Sequence, residues 1–297
     1  MEKAIIFGAN GQDGFYLSEL LLLNKIEPIT ISRTCGTIIG DVSDFTFIDN
    51  TIKILQPNYV FHFAANSTTK HSALRENHNS ISSGTLNILE AVRKYSPNAK
   101  VFISGSAMQF KNDGNPINEN TPFEASSAYS AERIYSVYLA RYYREKFQIK
   151  TYIGYLFNHD SPLRSEFNFS QKIIKIANDI SKGKLKKIDL GNLNIKKEFN
   201  FAGDIVNAIW VLINQEVEFE VVIGSGTAYP LGEWVNICFQ KFNINQEEHI
   251  LQTSNIYHEY DILVSNPKKI YKLGWTPIFD ITQLAKLMLE KYLLNEQ

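Results

Sequence analysis

The chain has 297 residues, 44% of them hydrophobic, with 30 Lys and Arg against 31 Asp and Glu and a formal net charge of −1. That is enough apolar content for a full core in one large or two modest domains, and so even a charge balance removes the electrostatic case for nucleic acid or an anionic membrane as partner. Two cysteines, Cys35 and Cys238, make neither a disulfide framework nor a metal cluster, no apolar run approaches the ~20 residues that span a bilayer, and Met1-Glu2-Lys3 does not open a leader peptide; the expectation is a cytoplasmic protein.

In chain order, Ala4-Ile5-Ile6-Phe7 is a short apolar run of the kind buried on both faces of a parallel sheet. It stops at Gly8, and Tyr16 to Leu22 then reads as a helix. Pro28 to Ser32 reads as a second strand, Ile52 to Leu55 as helix and Tyr59 to Phe63 as strand. Thr85 to Tyr95 is an amphipathic helix through Leu86, Ile88, Leu89 and Val92, and Val101 to Ser104 is the next strand. Ala128 to Phe147 is a long helix, followed by a strand at Thr151 to Tyr155. This β–α alternation predicts an α/β fold, a Rossmann-type doubly wound parallel sheet over residues 1–156. After Phe157 the loops lengthen and a lysine-rich stretch, Lys182 to Lys187, appears. Residues 157–297 are therefore expected to form mainly a smaller, discontinuous substrate lobe, with Glu220 to Gly224 returning to the sheet.

The turn after the first strand reads Gly8-Ala9-Asn10-Gly11-Gln12-Asp13-Gly14. Between a strand and a helix, this GxxGxxG spacing suits a dinucleotide: Gly8 for the tight turn, Gly11 for close approach of a pyrophosphate, Gly14 for helix–sheet packing. The helix N-terminus then offers free N–H groups to the phosphates. The second strand ends in Ser32-Arg33-Thr34, where a ribose 2′-hydroxyl would call for Asp or Glu. Arg33 suits a 2′-phosphate instead, so NADP(H) is expected over NAD(H). Asp41 and Val42 are candidates to hold the adenine, and Ala64 and Ala65 to let the cofactor pass close to the backbone. His62, His71 and His78 show no metal-ligand spacing and no metal is expected.

These motifs, with Ser104-Gly105-Ser106 ending a strand and Tyr129 opening a helix, resemble the extended short-chain dehydrogenase/reductases acting on nucleotide sugars. Within them, Gly11-Gln12-Asp13-Gly14 continuing as Tyr16-Leu17-Ser18-Glu19, Leu156-Phe157-Asn158-His159-Asp160-Ser161-Pro162 with Arg164, and Leu190-Gly191-Asn192-Leu193-Asn194 leading to Lys197-Glu198-Phe199 resemble the GDP-mannose 4,6-dehydratase family. The ending, Ser265-Asn266-Pro267 to Gly274-Trp275-Thr276-Pro277, is similar to the related GDP-4-keto-6-deoxymannose reductases. The resemblance implies that Tyr129 takes a proton from a sugar hydroxyl as hydride leaves the same carbon, that Ser106 holds the oxygen, and that a cation one helical turn after the tyrosine supports the phenolate and binds the cofactor. It also implies a homodimer through the two helices at 85–95 and 128–147.

Two positions depart from the family pattern. The Tyr-x-x-x-Lys of the family reads here Tyr129-Ser130-Ala131-Glu132-Arg133; Arg133 keeps the charge on the helical face of Tyr129 but not the shape of an ammonium. The dehydratases carry a Glu two residues after the Ser/Thr to take the C5 proton, and here that position is Met108, which has no acid–base chemistry. Glu119 and Glu124 are the nearest carboxylates in sequence. Asn158 and His159 are expected to face the sugar. Lys172 and Lys197 are candidates for the pyrophosphate of the substrate, weighed against ordinary solvated lysines. The family's arginine before the final Ser-Asn has no counterpart in Ser254 to Glu259. The leading expectation is thus a single-step NADP(H)-dependent oxidoreductase at C4 of a nucleotide sugar. A GDP-mannose 4,6-dehydratase and a non-catalytic cofactor-binding paralogue are the alternatives.

Overall fold

A computed structural model describes residues 1–252 and 259–295. Seven parallel strands form the central sheet: β1 (Lys3–Phe7), β2 (Glu27–Ser32), β3 (Ile38–Ile39), β4 (Tyr59–His62), β5 (Lys100–Ser106), β6 (Lys150–Leu156) and, after the short strands named below, β11 (Glu220–Ile223). The order across the sheet is β11-β6-β5-β4-β1-β2-β3. The chain therefore winds outward from β1 through β2 to β3, then returns to β4 on the other side of β1. Ile5 pairs with Ile29 on one edge and Val60 on the other, and Ile5 and Phe7 enter one core while Ala4 and Ile6 enter the opposite one, so both faces of β1 are buried and its apolar run does not alternate. The reversal between β1 and β4 leaves a crevice at their carboxyl ends, which is where open α/β sheets bind ligands.

Helices cover both faces. On one side α2 (Phe45–Leu55), α4 (Gly84–Tyr95) and α5 (Ala128–Phe147) bury Ile48, Ile88, Val92 and Val137 against the sheet; on the other, α1 (Gln12–Leu23), α7 (Ala202–Ile213) and the short α10 (Lys268–Lys272) bury Leu17, Leu21, Ile209 and Ile270. Several boundaries differ from the sequence reading. α1 begins at Gln12, within the glycine motif, and α2 begins at Phe45 because the Asp44 side chain accepts from the Phe47 N–H. The short α3 (Leu74–Asn77) runs through a π-helical stretch, His78 to Ser83, into α4. A π-turn leaves no signature in apolar periodicity, and such turns gather near functional sites.

A third core lies away from the sheet. It joins α6 (Phe169–Ser181), α8 (Leu231–Lys241) and α11 (Ile281–Asn295) around Trp234, whose ring stacks on Phe199 with centroids 5.0 Å apart. Its edges are short strands: β7 (His159–Asp160) with β10 (Asn200–Phe201), β8 (Ile188–Leu190) with β13 (Ile250–Gln252), and β9 (Lys196–Glu198) between β12 (Ala228–Pro230) and β14 (Ile262–Leu263); α9 (Gln246–His249) lies before β13. Glu198 ties this lobe together. Its fully buried carboxylate accepts from the Ser225 N–H (2.7 Å), the Ser265 N–H (2.6 Å) and Asn200 Nδ2 (3.0 Å). No described helix is long and apolar enough to cross a membrane.

Candidate active site

The crevice at the carboxyl ends of β1 and β4 is a cavity of about 760 Å³. The glycine turn forms its floor. Gly8 has φ +85°, and a Cβ there would lie 2.6 Å from the Ala64 nitrogen, so only glycine permits the turn and the approach of β4 together. A Cβ on Gly14 would lie 2.5 Å from Cα of Ala9, which lets α1 seat against the turn. Gly11 lines the cavity, and nothing but the Gly8 carbonyl, at 3.4 Å, stands near its missing Cβ. No side chain caps α1, so its first-turn N–H groups are left to a ligand, as phosphate sites require. A cradle open at Gly11 and closed at Gly8 and Gly14 fits a dinucleotide pyrophosphate.

Asn10, Arg33, Asp41, Val42, Ala64 and Ala65 line this cavity too. Buried Asn87 of α4 fixes the loop between β3 and α2 by donating to the carbonyls of Val42 and Ser43, each at 3.1 Å. Asp41 accepts from the Ser43 N–H (2.9 Å) and hydroxyl (2.8 Å). Gln12 and Asp13 also line the cavity, but their side chains reach to the second lobe. Gln12 donates to the His159 carbonyl (3.1 Å) and accepts from the Ser161 hydroxyl (2.8 Å). Asp13 meets His159 Nε2 at 3.0 Å, and His159 Nδ1 lies 2.7 Å from the Phe157 carbonyl. Burial pushes the Asp13 carboxyl up, but the charge and hydrogen bond of His159, then Arg164 and Arg133, hold it below the usual carboxylate range. Burial likewise pulls His159 down, and Asp13 outweighs it, leaving the imidazole above its ordinary value. Two motifs distant in sequence thus interlock through one ion pair.

A second cavity, of about 330 Å³, adjoins the first through Asp13, Phe63, Ser67 and Arg164, which line both. Ser106, Met108, Tyr129, Arg133, Asn158 and His159 meet there. Tyr129 is placed by its helix start. Ser127 caps α5 in a reciprocal pair, its hydroxyl accepting from the Ser130 N–H (3.1 Å) while the Ser130 hydroxyl accepts from the Ser127 N–H (2.9 Å). That sets Tyr129 in the first turn, over the end of β5. Arg133, one turn on and buried, donates from Nε to the Tyr129 hydroxyl (3.2 Å) and from Nη1 to the Ser104 carbonyl (2.5 Å) and hydroxyl (2.8 Å). The guanidinium fork therefore bridges β5 and the phenol, a two-sided contact that a lysine ammonium would make only in part.

His62, at the end of β4, is fully enclosed and kept neutral: burial, then the charge of Arg133, lowers it to about 3. His78 instead sits 3.2 Å from Glu132, which also accepts from the Ser82 hydroxyl and so clamps the π-helical stretch to α5. Met108 follows Ser106 in a short 3-10 turn, with its N–H on Ser106 Oγ at 3.2 Å. Neither carboxylate near it in sequence reaches the cavity. Glu119 caps the edge of the sheet by accepting from the Val222 N–H (2.7 Å), and Glu124 is exposed. Glu259, in the second lobe, does line the cavity.

The two lysines lie elsewhere. Lys172 is exposed on α6, outside the lining of either cavity. Lys197 stands over the rings of Phe199 (4.8 Å) and Phe169 (5.5 Å); burial lowers its pKa, against the charge of Asp160. The cation that stands at the junction of the cavities is Arg164, held by Asp160 at 3.3 Å. Arg164 is legible only as the end of a motif, and Glu259, like Glu76 and Asn66, which line the larger cavity, carries no motif at all. The absence of an arginine in Ser254 to Glu259 falls mostly on 254–258, outside the described residues.

A doubly wound sheet with its glycine turn at the switch point, and a tyrosine and serine at the adjoining cavity with a cation one turn on, define an extended short-chain dehydrogenase/reductase. Residues 5–288 match the family model for GDP-mannose 4,6 dehydratase. The GDP-mannose 4,6 dehydratase 1 of Arabidopsis thaliana is 28% identical over 97% of this chain and 89% of its own length, and the Drosophila melanogaster enzyme is 30% identical over 80% and 67%. Among solved structures, the dTDP-glucose 4,6-dehydratase of Bacillus anthracis in complex with NAD superposes with a TM-score of 0.86 at 17% identity, covering 100% of this chain and 98% of that one. RMD from Pseudomonas aeruginosa, complexed with NADPH, gives 0.84 at 16%, covering 99% and 100%. The chain belongs to the GDP-mannose 4,6-dehydratase family.

Proposed function

We propose that this protein transforms a nucleotide sugar and that its reaction is 4,6-dehydration of a GDP-linked hexose, the activity for which its relatives are named. This replaces the single-step oxidoreductase as the first reading. The observation that carries it is the phenol of Tyr129, fixed by Arg133 beside Ser106 in a cavity continuous with the glycine cradle. A nicotinamide dinucleotide in the larger cavity supplies the hydride acceptor. Tyr129 takes the proton of the C4 hydroxyl, Ser106 holds that oxygen, and Arg133 stabilises charge developing on the phenolic oxygen. Arg164 meets the substrate pyrophosphate. The C5 proton goes to Glu259, because Asp13, the other carboxylate among the described lining residues, is committed to His159; Glu259 passes that proton to the C6 hydroxyl, which leaves as water, and the hydride taken from C4 would return to C6, so the sugar loses water with no net oxidation. NADP(H) is the cofactor form we propose, with Arg33 on the 2′-phosphate. The working division is residues 1–156, with 200–225, for cofactor and the remainder for substrate. Exposed Tyr135, Tyr138 and Tyr142 on α5 and Leu86 on α4 support a homodimer through those helices.

Met108 favours a second reading, the single-step oxidation or reduction at C4, since no base stands at the family's position. Incubation with GDP-mannose and NADP(H), with products read by mass spectrometry, separates them. Loss of water from the sugar supports dehydration. A change of two hydrogens alone supports the single step. Cofactor binding without turnover, in wild type and Arg133→Lys alike, supports a non-catalytic paralogue.

A further inference from the structure

Resting on the dinucleotide reading of the larger cavity, we propose that Glu76 sets the balance between the two forms of the cofactor by competing with a 2′-phosphate for Arg33. At the end of the cavity beyond β2, Arg33 Nη2 lies 3.0 Å from Glu76 Oε1. Glu76 does not merely follow Arg33. Its other oxygen accepts from Asn66 Nδ2 at 2.7 Å, and Asn66 itself lines the cavity after β4. The carboxylate therefore stays in place when the arginine swings away.

Asp41, fixed by Ser43, is the second carboxylate at this end, so among the described lining residues one cation faces two anions there. A ribose 2′-hydroxyl enters at little electrostatic cost and finds acceptors. A 2′-phosphate, carrying close to two negative charges, takes the guanidinium from Glu76 or shares it, and in either case sits near that carboxylate. Glu76 takes only Nη2 of Arg33, so Nε and Nη1 remain for the phosphate, but the one positive charge is then divided between two anions. Arg33 thus attracts the phosphate and Glu76 tempers that attraction; the specificity belongs to the pair, not to the arginine alone.

The test is a titration of wild type, Glu76→Gln and Asn66→Ala with NADPH and with NADH, reading bound-cofactor fluorescence. Gln keeps the size and the contact to Asn66 while removing the charge. The ratio of the two dissociation constants is expected to move about threefold to fivefold toward NADPH in Glu76→Gln, as for a solvent-exposed pair, and less, in the same direction, in Asn66→Ala. An unchanged ratio, or equal shifts for both cofactors, overturns the proposal while leaving the dinucleotide reading intact. Failure of the wild type to bind either cofactor defeats that reading as well.

Discussion

Replacing Asp13 by Asn tests the interlock between the glycine turn and the second lobe. The pair is short, at 3.0 Å, and its side chains are only 13% (His159) and 19% (Asp13) exposed. Removing one partner of a fully buried ion pair costs roughly 3–5 kcal/mol, and a hydrogen bond to a charged group is worth about 1.5–3 kcal/mol. The asparagine keeps a polar contact and some water reaches the site, so we expect a loss of about 2 kcal/mol at pH 6. The pH dependence is the sharper readout. The folded imidazole lies above its unfolded value. Its contribution is therefore complete below the ordinary imidazole range, near 6.5, and fades as pH rises through the folded value. The Asp13 carboxyl is held low, so its share is present above about pH 4 and is lost only in acid. In Asp13→Asn the carboxylate that raised His159 is gone, leaving burial and Arg164 to depress it; the imidazole then costs stability in acid instead of contributing it. Denaturant unfolding of both proteins from pH 5 to 9 measures this. The gap should be widest between pH 5 and 6.5 and narrow steadily above. A gap constant across that range would refute the ion-pair account and leave only a packing defect.

Further outcomes follow from the same geometry. Tyr129→Phe removes the proton acceptor while keeping the ring, and turnover should fall by about 10²–10⁴-fold with cofactor affinity changed far less, as single-turnover and binding titrations would show. Glu259→Gln should suppress loss of water from the substrate while sparing hydride exchange at C4, and Met108→Glu should raise the ratio of elimination to oxidation; product analysis by mass spectrometry reads both. Glu198→Gln takes the charge from four hydrogen bonds and turns an amide donor toward backbone N–H groups, a cost of about 3 kcal/mol visible as a lower denaturation midpoint.

Much of this protein was written in its sequence because the signals are local. A run such as Ala4-Ile5-Ile6-Phe7 suits burial on both faces of a sheet, and Gly8, Gly11 and Gly14 are demanded by backbone geometry at a single turn. Ser127 before Tyr129 starts a helix by bonds within four residues, which put the phenol and Arg133 on one face. The family was equally legible, since its motifs are contiguous. What the motifs do was not. Gln12 and Asp13 read as cofactor contacts and line that cavity, but their side chains also hold His159 and Ser161, a pairing across about 150 positions that no spacing rule contains. Lys172 and Lys197 were the basic residues in the expected segments, yet packing turned one to solvent and set the other over aromatic rings, and left Arg164 at the junction. The π-helical turn at 78–83 and the clasp of Glu76 on Arg33 likewise depend on which elements the sheet order brings together. Sequence determined the scaffold, the glycine cradle and the Ser106, Tyr129 and Arg133 set, because neighbours along the chain create them. Tertiary structure alone decided which charges face the cavity and which neutralise one another, because charge pairing is settled by distance in space.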